Sequence, residues 1–154
     1  MISISRRNAM MALLVGLLGL ASGAWAGGPL VTVYKSPTCG CCGKWVEHLR
    51  QAGLQVEVRE TGNLDAVKQR LGVSRKLGSC HTATVGGYIV EGHVPAAQVH
   101  RLLCEKSAVA GIAAPGMPVG SPGMEGPGGK PYQVVSWRKG GTVEMVSVEQ
   151  PHAQ

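Results

Sequence analysis

Three cysteines fall within four residues, Cys39-Gly40-Cys41-Cys42, and a fourth, Cys80, is followed directly by His81. Thiolate sulfur is both a soft ligand and a strong nucleophile, so this density points to soft-metal binding or to thiol–disulfide chemistry. Cys39 and Cys42 make a C-x-x-C pair, which suits a redox dithiol. Cys41 has no part in that scheme and would compete for mixed disulfides. Three crowded thiolates with a fourth suit Cu(I) first, Zn(II) next and an iron–sulfur centre third. Zinc usually takes two separated cysteine pairs, and C-x-C-C is a poor template for that. Met117 and Met124 stand in a Gly/Pro-rich stretch. Their thioethers also select Cu(I), or else they cover the site as apolar filler. His81 either ligates or hydrogen-bonds its loop.

The cysteines number five, with Cys104 the last. An odd count with crowding argues against a simple disulfide scaffold. Adjacent Cys41 and Cys42 cannot bridge without strain, because their side chains diverge.

These residues need elements to hold them. Leu30 to Tyr34 is β-branched and aromatic and reads as a strand, followed by a turn over Lys35 to Thr38. Cys42 to Ala52 reads as a helix, with Trp45, Val46 and Leu49 on one face. Leu54 to Val58 alternates as a second strand, and Thr61 to Leu71 forms a second helix. Thr82 to Val85 and Tyr88 to Val90 flank Gly86-Gly87, a tight-hairpin signal. Pro95 opens a third helix running to about Glu105. The order β-α-β-α-β-β-α predicts an α/β, thioredoxin-like domain over residues 27–148. In that fold the loop after the first strand meets the loop leading into the third. Cys39, Cys41, Cys42, Cys80 and His81 would then converge, with the first three at a helix N-terminus that favours thiolate. Residues 105–131 read as an irregular Gly/Pro/Met loop, 132–148 as a C-terminal β-hairpin and 149–154 as a tail.

The bulk properties narrow the role. Residues 1–26 read as a signal peptide: Arg6-Arg7, then the apolar run Met10 to Leu20, then Ala24-Trp25-Ala26 as the cleavage site. That run is shorter than the ~20 residues of a membrane span, so no stable membrane insertion is expected after cleavage, and the destination is the periplasm. The formal charge is +6 and Phe is absent. With no basic stripe interleaved with aromatics, nucleic acid is not an expected partner. Plainer roles are expected elsewhere. Trp45 and Cys104 are read as core, and His93 as a turn or capping residue. His48, His100, His152, Lys35 and Lys44 are read as solvated.

Several stretches together carry a family resemblance. They are Tyr34-Lys35-Ser36-Pro37-Thr38-Cys39-Gly40-Cys41-Cys42 with Trp45, Ser79-Cys80-His81-Thr82-Ala83, Glu91-Gly92-His93-Val94-Pro95-Ala96, and Pro115-Gly116-Met117 through Gly123-Met124-Glu125. Over about Pro29 to Val148 the chain resembles the exported thioredoxin-like family of CopG-type copper-resistance proteins, long described as a domain of unknown function. The resemblance implies a periplasmic copper-binding protein with a multinuclear Cu(I)–thiolate cluster on Cys39, Cys41, Cys42 and Cys80, several ions per chain. It implies copper storage, handover or redox turnover, with copper ions and periplasmic copper-export or copper-oxidase proteins as partners. Cys104 departs from the family pattern. The rival reading is a thiol–disulfide oxidoreductase using Cys39 and Cys42. Against it stand the surplus Cys41 and a Cys-His-Thr where a proline would normally precede the third strand.

Overall fold

Val31 and Val33 alternate with Thr32 and Tyr34, and that alternation sets which face of the first strand, β1 (Val31–Lys35), is buried. The computed structural model describes residues 28–152, so the signal-peptide reading lies outside the described residues. Helix α1 (Gly40–Gln51) follows and buries Trp45, Val46 and Leu49 at helical spacing. It starts two residues before the expected Cys42, which brings the whole Cys41-Cys42 pair into its first turn. Strand β2 (Val56–Glu60) leads to α2 (Leu64–Leu71). The Asn63 side chain accepts from Ala66 N at 3.1 Å and caps α2, and Gly72 ends it at φ 74°. Strands β3 (His81–Val85) and β4 (Tyr88–Glu91) form the expected hairpin. Its turn needs positive φ at both Gly86 (56°) and Gly87 (88°). Pro95 precedes α3 (Ala96–Glu105), and its carbonyl accepts from Gln98 N and Val99 N.

Three further strands complete the sheet: β5 (Gly111–Ala113), β6 (Tyr132–Trp137) and β7 (Val143–Glu149). The order across the sheet is β2-β1-β3-β4-β5-β6-β7. Pairs β1/β2 and β4/β5 are parallel, and each is joined through a helix, as parallel neighbours require. The remaining pairs are antiparallel. Strand β5 corrects the expectation of an irregular loop over 105–131. It is three residues long, too short for any periodicity to show. It fits because Gly111 has no side chain: a Cβ there would stand 2.2 Å from Ile89 O and 2.6 Å from the Trp137 ring.

The two faces of the sheet carry separate cores. On one, Trp45, Val46 and Leu49 of α1 and Val99 and Leu102 of α3 pack with Val31, Val33, Ala83, Val85, Val90, Ile112 and Val134. On the other, Leu77, Ala113, Val135 and Trp137 form a smaller cluster. Cys104 corrects its expected burial: it is an exposed free thiol on α3. Lys35 also departs from expectation. It is buried, donating to Ser36 O at 2.9 Å and pairing with Glu60 at 3.2 Å.

Glu91, at the end of β4, is fully buried. Its carboxylate accepts from Lys68 Nζ of α2, from Thr82 Oγ1 at 2.6 Å and from Ser79 N at 2.7 Å. Burial raises the Glu91 pKa, and Lys68, Thr82 and Ser79 oppose that rise. Removing one partner of a buried pair leaves an uncompensated charge. Lys68→Met is therefore expected to cost about 3–5 kcal/mol at neutral pH, read by chemical denaturation. A carboxyl with a raised folded pKa keeps its stability below its unfolded value and loses it as pH rises. The deficit should accordingly shrink in acid, and a pH-independent deficit would refute the unpaired-charge account.

Candidate metal and thiol centre

The turn after β1 delivers the first three cysteines. Cys39 N donates to Ser36 O at 3.1 Å, which curls the chain into α1. Cys39 stands just before the helix in extended conformation, and Cys41 and Cys42 occupy its first turn. Cys80 arrives from the other side. Antiparallel pairing sets His81 opposite Lys35, so the residue before it lies beside the β1–α1 turn. Cys80 Sγ is 3.5 Å from Cys42 Sγ and 3.8 Å from Cys41 Sγ. Cys41 Sγ is 3.5 Å from Cys39 Sγ. Cys39 and Cys42 are joined as a disulfide, while Cys41 and Cys80 are free. The four sulfurs lie within 4.8 Å of one another. Two thiolates on one ion, with bonds of about 2.3 Å at a tetrahedral angle, sit about 3.8 Å apart. The spacing therefore fits sulfurs sharing ions once the bridge is reduced.

Two imidazoles adjoin the sulfurs. The donor atoms of Cys80, His81 and His93 also lie within 4.8 Å of one another. His81 opens β3, is fully buried, and places Nδ1 3.5 Å from Cys80 Sγ. Its ring lies on Trp45, centroids 4.2 Å apart. Its Nε2 is buried with no hydrogen-bond partner among the described residues. A buried orphan nitrogen calls for an explanation, and a ligand is one. His93, in the β4–α3 connection, was expected only to shape a turn; it belongs to the centre. Its Nε2 is 2.9 Å from Cys80 Sγ, and its Nδ1 is 2.8 Å from Pro122 O. A carbonyl only accepts, so Nδ1 carries the proton and Nε2 turns its lone pair to the sulfur. This is the arrangement by which an outer partner fixes a ligating histidine's tautomer. The strand order held the signal: a loop that leaves β4 lies beside the residue that precedes β3.

The Gly/Pro/Met stretch is packed against the centre. Gly123, at φ 84°, is buried on the first turn of α1, where a Cβ would stand 2.7 Å from Cys41 O and 2.9 Å from Trp45 N. Gly123 N donates to the Glu125 carboxylate at 2.7 Å. Upstream, Gly116 N donates to Gly78 O at 3.0 Å, and the Ser79 hydroxyl donates to Gly116 O. The segment is thus tied to the two residues before Cys80 and packs on the first turn of α1. Met117 is exposed and Met124 is half-buried on this segment. His48 is half-buried rather than solvated: Ala96 N donates to its Nε2 at 3.0 Å, at the start of α3.

Burial favours the neutral forms of Cys80, His81 and His93. Burial, with Cys41 adding to it, pushes the Cys80 thiol up to about 12. His81 sits well below its ordinary value through burial, then through His93 and Lys68. His93 is lowered by burial, against Pro122 O and Glu125. Neutral imidazoles are ready ligands, and a metal that takes Cys80 must displace its proton.

Two expectations follow. Gly123→Ala forces the segment off α1 and takes the Pro122 carbonyl with it. The variant should lose about 1–3 kcal/mol of stability on denaturation, with the His93 Nδ1–H resonance no longer protected from exchange. Retained protection would show that the segment does not hold His93. Second, His48, His81 and His93 all titrate below 6.5 in the fold. Their contribution to stability is complete above the unfolded value and is lost as pH falls through the folded values. The metal-free protein should melt several degrees lower at about pH 5.5 than at about pH 7.5. An unchanged midpoint would contradict three neutral imidazoles in the fold.

A family profile described as "Protein of unknown function, DUF411" matches residues 77–124. No curated protein matches the chain. The solved structure described as "Copper resistance protein copG- Form 2" is 41% identical, with a TM-score of 0.75, over 79% of this chain and 98% of its own. The one described as "Copper resistance protein copG- Form 1" is 42% identical, with a TM-score of 0.74, over 79% and 97%. At that identity, and over nearly the whole of both solved chains, the protein belongs to the family of the copper resistance protein CopG.

Proposed function

We propose that the protein binds Cu(I) in a multinuclear thiolate cluster and acts in copper resistance. The observation that carries this reading is the convergence of the sulfurs of Cys39, Cys41, Cys42 and Cys80 at the spacing of shared metal ligands. His93 and His81 complete the donor set on the side of Cys80, and Met117 and Met124 supply thioethers from the segment beside it. The relatives' description as copper resistance proteins supports copper as the ion. Copper is here the cargo, to be stored, handed over or cycled between oxidation states. The site of action is the periplasm, an oxidising space where a bound cluster would shield thiols from pairing. The scaffold is thioredoxin-like: the β2-β1-β3-β4 part of the sheet, with α1 and α3 packed on one face, supports that reading.

The Cys39–Cys42 bridge favours a second reading, a thiol–disulfide oxidoreductase. Copper analysis of the reduced protein separates the two. Under the cluster reading, the reduced chain takes up several Cu(I) ions, and Cys41→Ser lowers the number bound or weakens affinity by about tenfold or more. Unchanged copper binding by Cys41→Ser, together with disulfide reduction in a protein substrate, would give the answer to the oxidoreductase.

A further inference from the structure

The disulfide and the free thiols are arranged for exchange within one chain. Cys80 Sγ is 3.5 Å from Cys42 Sγ, one half of the bridge, and 2.9 Å from His93 Nε2. Cys42 is fully buried, whereas Cys39 and Cys41 are partly exposed. We propose that the bridge migrates inward, from Cys39–Cys42 to Cys42–Cys80, leaving Cys39 and Cys41 as a free dithiol at the rim. This goes beyond the copper reading and does not depend on it.

The step balances without any outside oxidant or reductant. The Cys80 thiol gives its proton to His93 Nε2, whose other nitrogen is already committed to Pro122 O. The Cys80 thiolate attacks Cys42 Sγ. A Cys42–Cys80 bond forms, the Cys39–Cys42 bond breaks, and Cys39 leaves as thiolate. The proton on His93 returns to Cys39 through solvent. One disulfide and two thiols stand at the start and at the end.

Each participant has a physical reason for its part. Only a thiolate attacks a disulfide, so Cys80 needs a base in contact with its sulfur. His93 is that base: its Nε2 touches the sulfur and its Nδ1 is committed to Pro122 O. Cys39, at the start of α1, leaves where the unpaired N–H groups of the first turn favour negative charge. A thiol with a lower pKa leaves faster. Cys41 Sγ is 3.5 Å from Cys39 Sγ, so the released thiolate has a partner at once. The result is a choice of two dithiols. With the outer bridge, the free pair is Cys41 and Cys80; with the inner bridge, it is Cys39 and Cys41, nearer solvent. The inner isomer therefore presents two soft sulfurs where an incoming ion or a partner's disulfide can reach them.

The test uses the metal-free protein carrying one disulfide, with Cys104→Ser to remove the exposed thiol. It is incubated with a limiting amount of a maleimide, quenched in acid and mapped by peptide mass spectrometry. The expected product carries the label on Cys39 and a Cys42–Cys80 bridge, and its yield is independent of protein concentration. Cys80→Ser, close to isosteric, should abolish label on Cys39. His93→Gln should slow its appearance on the order of a hundredfold. A Cys39–Cys42 bridge in every molecule, with Cys80 labelled instead, would overturn the migration. Label on Cys42 with a Cys39–Cys41 bridge would overturn its direction. An unslowed His93→Gln would overturn the proton transfer. None of these outcomes bears on copper binding by the reduced protein, so the two readings fail separately.

Discussion

Everything at this centre depends on the register between β1 and β3. Lys35 is opposite His81, and three more pairs follow it. Side chains alternate between faces, so a slip of one residue would send His81 to the wrong face and pull Cys80 from α1. The register is held from both faces. Ala83 and Val85 pack into the main core, and Thr82 is tied to Glu91 and Lys68 on the other side. The buried carboxylate of Glu91 also accepts from Ser79 N, the residue before Cys80. A charged network under the sheet thus fixes the position of a sulfur above it.

Among the described residues, no lysine or arginine side chain is hydrogen-bonded to the sulfurs of the centre. Burial supplies the control instead. It keeps Cys80 protonated and the two imidazoles neutral, so the donors do not repel one another before a ligand arrives. A cation entering such a place replaces protons rather than competing with fixed positive charge. Lys68 is spent on Glu91 and Thr82, and the buried Lys35 on Ser36 O and Glu60.

Much of this was legible in the sequence. The C-x-C-C run, the Gly86-Gly87 hairpin and the apolar faces of α1 and α3 are local signals, and each is found where it was read. The four-cysteine convergence needed only the order of elements. What could not be read depends on contacts distant in sequence. Strand β5 is a strand because Ile89 and Trp137 flank it, not because of its own three residues. His93 looks like a turn residue until Pro122, 29 positions later, fixes its tautomer. The Gly/Pro stretch reads as unpacked because glycine leaves no hydrophobic pattern. Here its lack of a side chain is what allows Gly123 to close on α1. Cys104 misled in the opposite way, since a lone cysteine next to Leu103 suggests core and its helical phase points it outward.

The carbonyl that orients His93 belongs to Pro122, far along the chain from the cysteines it serves. Synthesis runs from the N-terminus, so Cys39, Cys41, Cys42 and Cys80 all emerge before that carbonyl exists. A growing chain therefore carries the sulfurs for some time without the oriented imidazole. Assembly of the centre is timed by the last third of the polypeptide, and chains cut short before Pro122 keep every cysteine of the centre yet never finish it.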